Sequence, residues 1–213
     1  MKSGRLIRIV LKGLAFLAWW LLFLFGSAGK LTWSRGWICT VLYLAALYTI
    51  RAVNQRLNPG LLQQRQAAIR EHAKSLDKIF MPLFLSLTIV QPIVAGLDFR
   101  FHGSYMPFWT VYPAIVNFTV SAMLITWVLV KNPQAESSRP YRLVRHPMYV
   151  GVAQLYQAMA VILGSIWNMG LAALITILFL WRTAVEDQTL RRELPGYEEY
   201  TKVTRYRAIR GIW

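Results

Sequence analysis

The chain has one cysteine, Cys39, and it lies inside an apolar run. A single thiol excludes a disulfide framework within the chain and leaves no cysteine set for a metal, so Cys39 reads as a small buried hydrophobe. The three histidines, His72, His102 and His146, are far apart in sequence. None forms the HxxxH or HExxH spacing that puts two imidazoles on one helical face, so no metal is expected. Negative charge is scarce: 9 Asp and Glu stand against 24 Lys and Arg, a formal net charge of +15. Charged residues of both signs together make up only 15% of the chain, against about a quarter in soluble domains. No internal repeat, low-complexity tract or soluble domain is visible.

What the chain has is apolar surface, 56% of its residues, with nine tryptophans, gathered into long blocks. They run from about Leu11 to Phe25, Trp37 to Ile50, Ile79 to Leu97, Phe108 to Val130 and Tyr149 to Trp181. Such runs predict an all-α, polytopic integral membrane protein. The first block follows Lys2, Arg5, Arg8 and Lys12, as in a signal peptide, but "GSAGKLTWSRGW" is a poor cleavage region and another span follows at once. It reads as a retained helix. Pro82 lies near the start of the third block and Pro92 within it, which leaves room for a kink. The last block has 33 residues, and one straight helix of that length would be about 50 Å, too long for one crossing. "GSIWNMG" at 164–170 suits a turn, so a helical hairpin is expected, followed from Arg182 by a charged tail of soluble character.

Six apolar segments put both ends of the chain on one side. With the ends inside, the inside segments hold 21 basic residues and the outside links hold only Lys30, Arg35 and Arg100. That split predicts cytoplasmic termini, and it explains the net charge without nucleic acid. The basic face can also attract anionic headgroups. Asn58-Pro59-Gly60 breaks the polar link after the second helix, and Leu61, Leu62, Arg65, Ala68, Ile69 and His72 then recur at helical spacing. An amphipathic surface segment is expected near 58–76. The whole reads as a single domain, 1–213, with four N-terminal membrane helices in 1–130 and the chemistry in 131–213.

A hairpin leaves and returns on one side. It therefore brings Arg139, Tyr141, Arg142, Arg145, His146 and Tyr149 near Arg182, Glu186 and Asp187. Arg182 and Glu186 are four apart and share a helical face. They are either an ion pair at the membrane edge, with Arg182 snorkelling, or a site for a zwitterion, Glu186 facing a cation and Arg182 a carboxylate. His146-Pro147 is either a basic, proline-started helix or a polar pocket at a helix start. In the tail, Tyr197 and Tyr200 either pack on the membrane face or close over a ligand.

These residues also match a known pattern. "PYRLVRHPMYVG", an apolar hairpin and "RTAVEDQTLRRELPGYEEY" resemble the isoprenylcysteine carboxyl methyltransferase family, whose relatives include phospholipid N-methyltransferases. "WSRGW" at 33–37, "NPGLLQQR" at 58–65 and the "YR…GIW" ending resemble its bacterial branch. The resemblance implies S-adenosyl-L-methionine as cofactor, bound at the cytoplasmic side of the inner (plasma) membrane, and a lipophilic acceptor that enters from the bilayer. It implies that Tyr141, Arg145, His146, Pro147, Met148, Tyr149 and Glu186 line the cofactor pocket and that Arg182 holds and orients the accepting carboxylate. Membrane lipids are the expected partners; no obligatory protein partner is evident, and the charge distribution calls for no nucleic acid. The acceptor class that the resemblance implies is an isoprenylcysteine-like carboxylate. The alternatives are a phospholipid amine, an NADPH-dependent membrane reductase of similar C-terminal architecture, or a membrane protein without cofactor. Three departures stand out: Arg139 replaces a glycine, Asp187 replaces a glutamate, and "NPQAESSRPYR" is shorter than the family's link to R-H-P.

Overall fold

The computed structural model describes residues 2–57, 75–130, 139–193, 196–209, 211 and 213. Among them the secondary structure is entirely helical. Helix α1, Lys2–Leu21, continues through a π-helical turn, Leu22–Gly26. Then come α2, Ser34–Leu57, and α3, Ser75–His102. A 3₁₀ turn, Phe108–Thr110, leads into α4, Val111–Val130. The C-terminal half holds α5, Arg139–Leu143, α6, Pro147–Leu163, α7, Ile166–Glu193, and α8, Tyr197–Val203. Residues 58–74, most of the expected amphipathic segment, and the link 131–138 lie outside the described residues.

Four of these helical stretches, Ser34–Leu57, Lys78–His102, Phe108–Val130 and Ile166–Glu193, are long and apolar enough to cross a membrane. The other two apolar helices, Leu11–Gly26 and Pro147–Leu163, are shorter. The architecture is that of a polytopic membrane protein. Helix α4 shows why. Val111, Ala114, Phe118, Ser121, Ile125 and Val128 are buried at helical spacing. On its outer side Tyr112, Val116, Val120, Met123 and Trp127 form a second stripe, exposed and equally apolar. A helix apolar all round, packed on one side only, needs lipid on the other.

The final hairpin forms, but its turn is tighter and earlier than expected. Only Gly164 and Ser165 separate the arms, and Trp167–Gly170 already belong to α7. Gly164 has a φ of 71°, and its N–H closes α6 on the Ala160 and Val161 carbonyls at 3.0 Å. That left-handed end is one glycine tolerates without cost. Ser165 Oγ accepts the Asn168 N–H at 3.0 Å and donates to Asp98, so one side chain caps α7 and ties it to α3. Arg35 donates to four carbonyls around the turn, those of Met106, Pro107, Val161 and Ile162. The "WSRGW" arginine is thus an internal clamp at the hairpin tip.

The arms are unequal, 17 and 28 residues, or about 26 and 42 Å. The charged stretch from Arg182 therefore continues as the last turns of α7 and is not a separate tail. Helix α3 runs unbroken through Pro82 and Pro92. It lies beside α7 with Asp98 at the hairpin tip and Phe80 against Phe179 near the other end, so the two are antiparallel.

Candidate functional site

The site is built at the end of the hairpin away from its tip. Helix α6 starts with His146 as N-cap and Pro147 at the first helical position, where a missing N–H costs nothing. The glycine of the same motif, Gly151, sets the depth of α6 against α4: a Cβ there would come within 2.9 Å of Ile125 Cγ1. Arg145 and His146 are held from outside by the chain's last segment. The Arg145 N–H donates to the Tyr206 carbonyl and the His146 N–H to that of Arg207, each at 2.9 Å. Tyr200 and Thr204 hydroxyls both donate to the Tyr141 carbonyl, at 2.7 and 3.1 Å. Residues 200–207 thus strap the loop before α6.

Under the strap sits Asp187, whose side chain is fully buried. Its Oδ1 accepts the Tyr197 hydroxyl at 3.0 Å and lies 3.1 Å from Arg145 Nη1 and 3.7 Å from His146 Nε2. Its Oδ2 accepts Arg207 Nε at 3.0 Å and Arg191 Nε at 3.3 Å. A buried carboxylate is tolerable only with such compensation. The same burial pulls the Arg145 guanidinium below its ordinary pKa, opposed by the Asp187 charge. It also pushes the Tyr197 phenol up, reinforced by Asp187, so Tyr197 stays a donor.

The second cluster is more open. Tyr149, one turn into α6, donates its hydroxyl to Glu186 and accepts Arg182 Nε at 3.0 Å. Arg182 Nε and Glu186 Oε2 are 3.6 Å apart, and these side chains are 23% and 36% exposed. The Tyr149 ring lies parallel to His146 at 5.7 Å and tilts against Phe179 at 5.4 Å. Arg182 lies 17 residues from Ser165, about 25 Å along α7, close to the depth of a bilayer's hydrocarbon core. Asp187 is about 7 Å further out.

The expected site residues therefore divide. Tyr149, Arg182 and Glu186 meet in one polar cluster, and Met148 is half-buried beside Tyr149. Arg145, His146 and Pro147 are buried, and the first two turn toward Asp187. Tyr141 offers its carbonyl to the strap. Sequence reasoning missed Asp187 as a hub, together with Arg191, Tyr197 and Arg207. The signal was present: Asp187 continues the buried stripe Asn168, Ala172, Ile175, Phe179 and Thr183 on α7.

Residues 105–195 match the family model for phospholipid methyltransferases. That family is related to the isoprenylcysteine carboxyl methyltransferases. No curated protein matches the chain, and no solved structure does. The matched stretch runs from Tyr105 through α4, the hairpin and both acids, and stops before the strap. It supports a membrane methyltransferase that acts on lipid. The site residues suit the methyl donor such an enzyme uses. Glu186 is a partly open carboxylate of the right charge to face such a donor's cationic end, and Arg182 beside it is a partly open cation that can face an anion.

Proposed function

We propose that the chain is an S-adenosyl-L-methionine-dependent methyltransferase, a polytopic membrane protein of a single domain, with its site at the cytoplasmic side and a lipophilic acceptor. The observation that carries this is the Tyr149-bridged pair of Arg182 and Glu186 within the stretch that matches the family. When bound, the cofactor supplies a methyl group on sulfonium sulfur for displacement by the acceptor's lone pair. Glu186 and Tyr149 would hold the cofactor's cationic end, with Met148 and Tyr141 beside them. Arg145 and His146 serve in this reading mainly to hold the pocket wall through Asp187, and Pro147 starts the helix that carries Tyr149.

Arg182 orients an anionic acceptor and offsets its charge, so the acceptor class proposed is a carboxylate on an isoprenylcysteine-like lipid. A carboxylate oxygen is already nucleophilic at neutral pH, and the protein contributes proximity and alignment. The family match favours a second acceptor, a phospholipid amine. An amine must lose a proton, and this second reading assigns that proton to Glu186, the partly exposed carboxylate beside Arg182.

Titration calorimetry on the purified, detergent-solubilised protein tests the reading with S-adenosylhomocysteine and NADPH. Binding of the first and not the second is expected, and the reverse would support a reductase and sink the proposal. Labelled S-adenosylmethionine offered with N-acetyl-S-farnesylcysteine or with phosphatidylethanolamine vesicles then distinguishes the acceptors. Glu186→Gln is expected to weaken S-adenosylhomocysteine about tenfold or more, the loss of one charge-assisted contact. Arg182→Ala is expected to raise the acceptor KM by a similar factor and leave cofactor binding nearly unchanged. Normal behaviour of both variants would remove this site.

A further inference from the structure

We propose that Phe80, on α3 and outside the stretch that matches the family, is a positioning residue that sets the orientation of Arg182. Its ring centroid lies 4.5 Å from the Arg182 guanidinium carbon. A guanidinium over an aromatic face within about 6 Å is attracted by the ring's quadrupole, and more strongly where water is excluded. The ring is 4% exposed, so little water competes. It is also fixed: Phe179 meets it edge-on at 5.2 Å, and Phe84 stacks on it at 5.8 Å. Phe84 in turn meets Tyr156 of α6 edge-on at 5.8 Å. The platform is therefore braced by α3, α6 and α7 together.

Arginine side chains have many rotamers, and this one is partly exposed at the end of a long helix. Phe80 holds the guanidinium from the α3 side. The Tyr149 hydroxyl takes its Nε from the α6 side, and the Tyr149 ring lies 5.8 Å from the guanidinium carbon. Two helices thus fix one plane. The inference rests on the reading that Arg182 faces the methyl acceptor. A tilted guanidinium would then leave cofactor binding intact and misplace the acceptor. Phe80 touches neither ligand in this account, and its effect passes through Arg182.

The test replaces Phe80 in the full-length, detergent-solubilised protein with 4-fluoro-, 3,5-difluoro- and 3,4,5-trifluorophenylalanine. Each fluorine weakens the ring's negative face while changing its size little. Acceptor KM for whichever of N-acetyl-S-farnesylcysteine or phosphatidylethanolamine the wild type methylates is expected to rise stepwise across the series, reaching about tenfold. S-adenosylhomocysteine affinity and thermal midpoint are expected to stay at wild-type values. Phe80→Leu, which keeps apolar bulk without a π face, is expected to match or exceed the trifluoro variant. A flat KM series in an active enzyme overturns this inference alone, as does a KM that follows only the thermal midpoint. A wild type that neither binds S-adenosylhomocysteine nor transfers methyl overturns the proposed function, and this inference with it.

Discussion

Gly164 carries two constraints at once. Its φ of 71° is one L side chains rarely adopt, and a Cβ there would strike Ser104 Oγ and the Arg35 guanidinium. Both neighbours belong to the hairpin tip, where Arg35 holds four carbonyls and Ser104 Oγ reaches the Gly164 carbonyl. Gly164→Ala is expected to cost about 1–3 kcal/mol through backbone strain and displacement of Arg35. Thermal unfolding in detergent measures it, and an unchanged midpoint would contradict the clamp. Asp187 is the counterpart at the opposite end. Three arginines and a tyrosine depend on it, so removing its charge leaves cations unpaired beside a buried site.

At the scale of elements, that hub joins three pieces: the end of α7, the loop before α6, and the last segment with α8. Backbone pairing of Arg145 and His146 with Tyr206 and Arg207 adds two hydrogen bonds to the same joint. The segment then closes on itself, with the Trp213 carbonyl oxygen accepting the N–H groups of Arg207, Ala208 and Ile209. Asp187→Asn is expected to lose about 3 kcal/mol or more of this attachment, because Arg145 is left as an uncompensated buried cation. Limited proteolysis should then cut residues 196–209 well before the helical body, with S-adenosylhomocysteine slowing the cleavage. Equal cleavage rates for variant and wild type would show that the strap does not depend on Asp187.

For the whole molecule, the distribution of basic charge carries the proposed orientation. Among the described residues, Arg35 lies with the hairpin tip, and Arg100 packs at Gly29, beside Lys30. Arg145, Arg182, Arg191 and Arg207 gather at the other end. The uneven basic split predicts that the second end faces the cytoplasm. Lys30 and Lys202 are both exposed, while Cys39 is buried and provides a silent background. A membrane-impermeant maleimide should label Lys30→Cys in intact cells and reach Lys202→Cys only after permeabilisation. The opposite pattern would invert the molecule.

The sequence by itself determined the helical membrane class, the number of apolar segments and the hairpin that returns Arg182 and Glu186 to the side of Tyr149. Those features depend on run length and on spacings of three and four residues, which are local properties of the chain. The tertiary structure alone decided which charges are buried and which stay open. Asp187, Arg182 and Glu186 lie within six residues of one another, yet the inward stripe of α7 takes the first and leaves the others partly exposed. It also decided that Arg35 reaches Ile162, 127 residues away, and that Phe80 lies under Arg182. Such pairings follow from how α2, α3, α6 and α7 pack, and no periodicity within one segment encodes its neighbour across a helix interface.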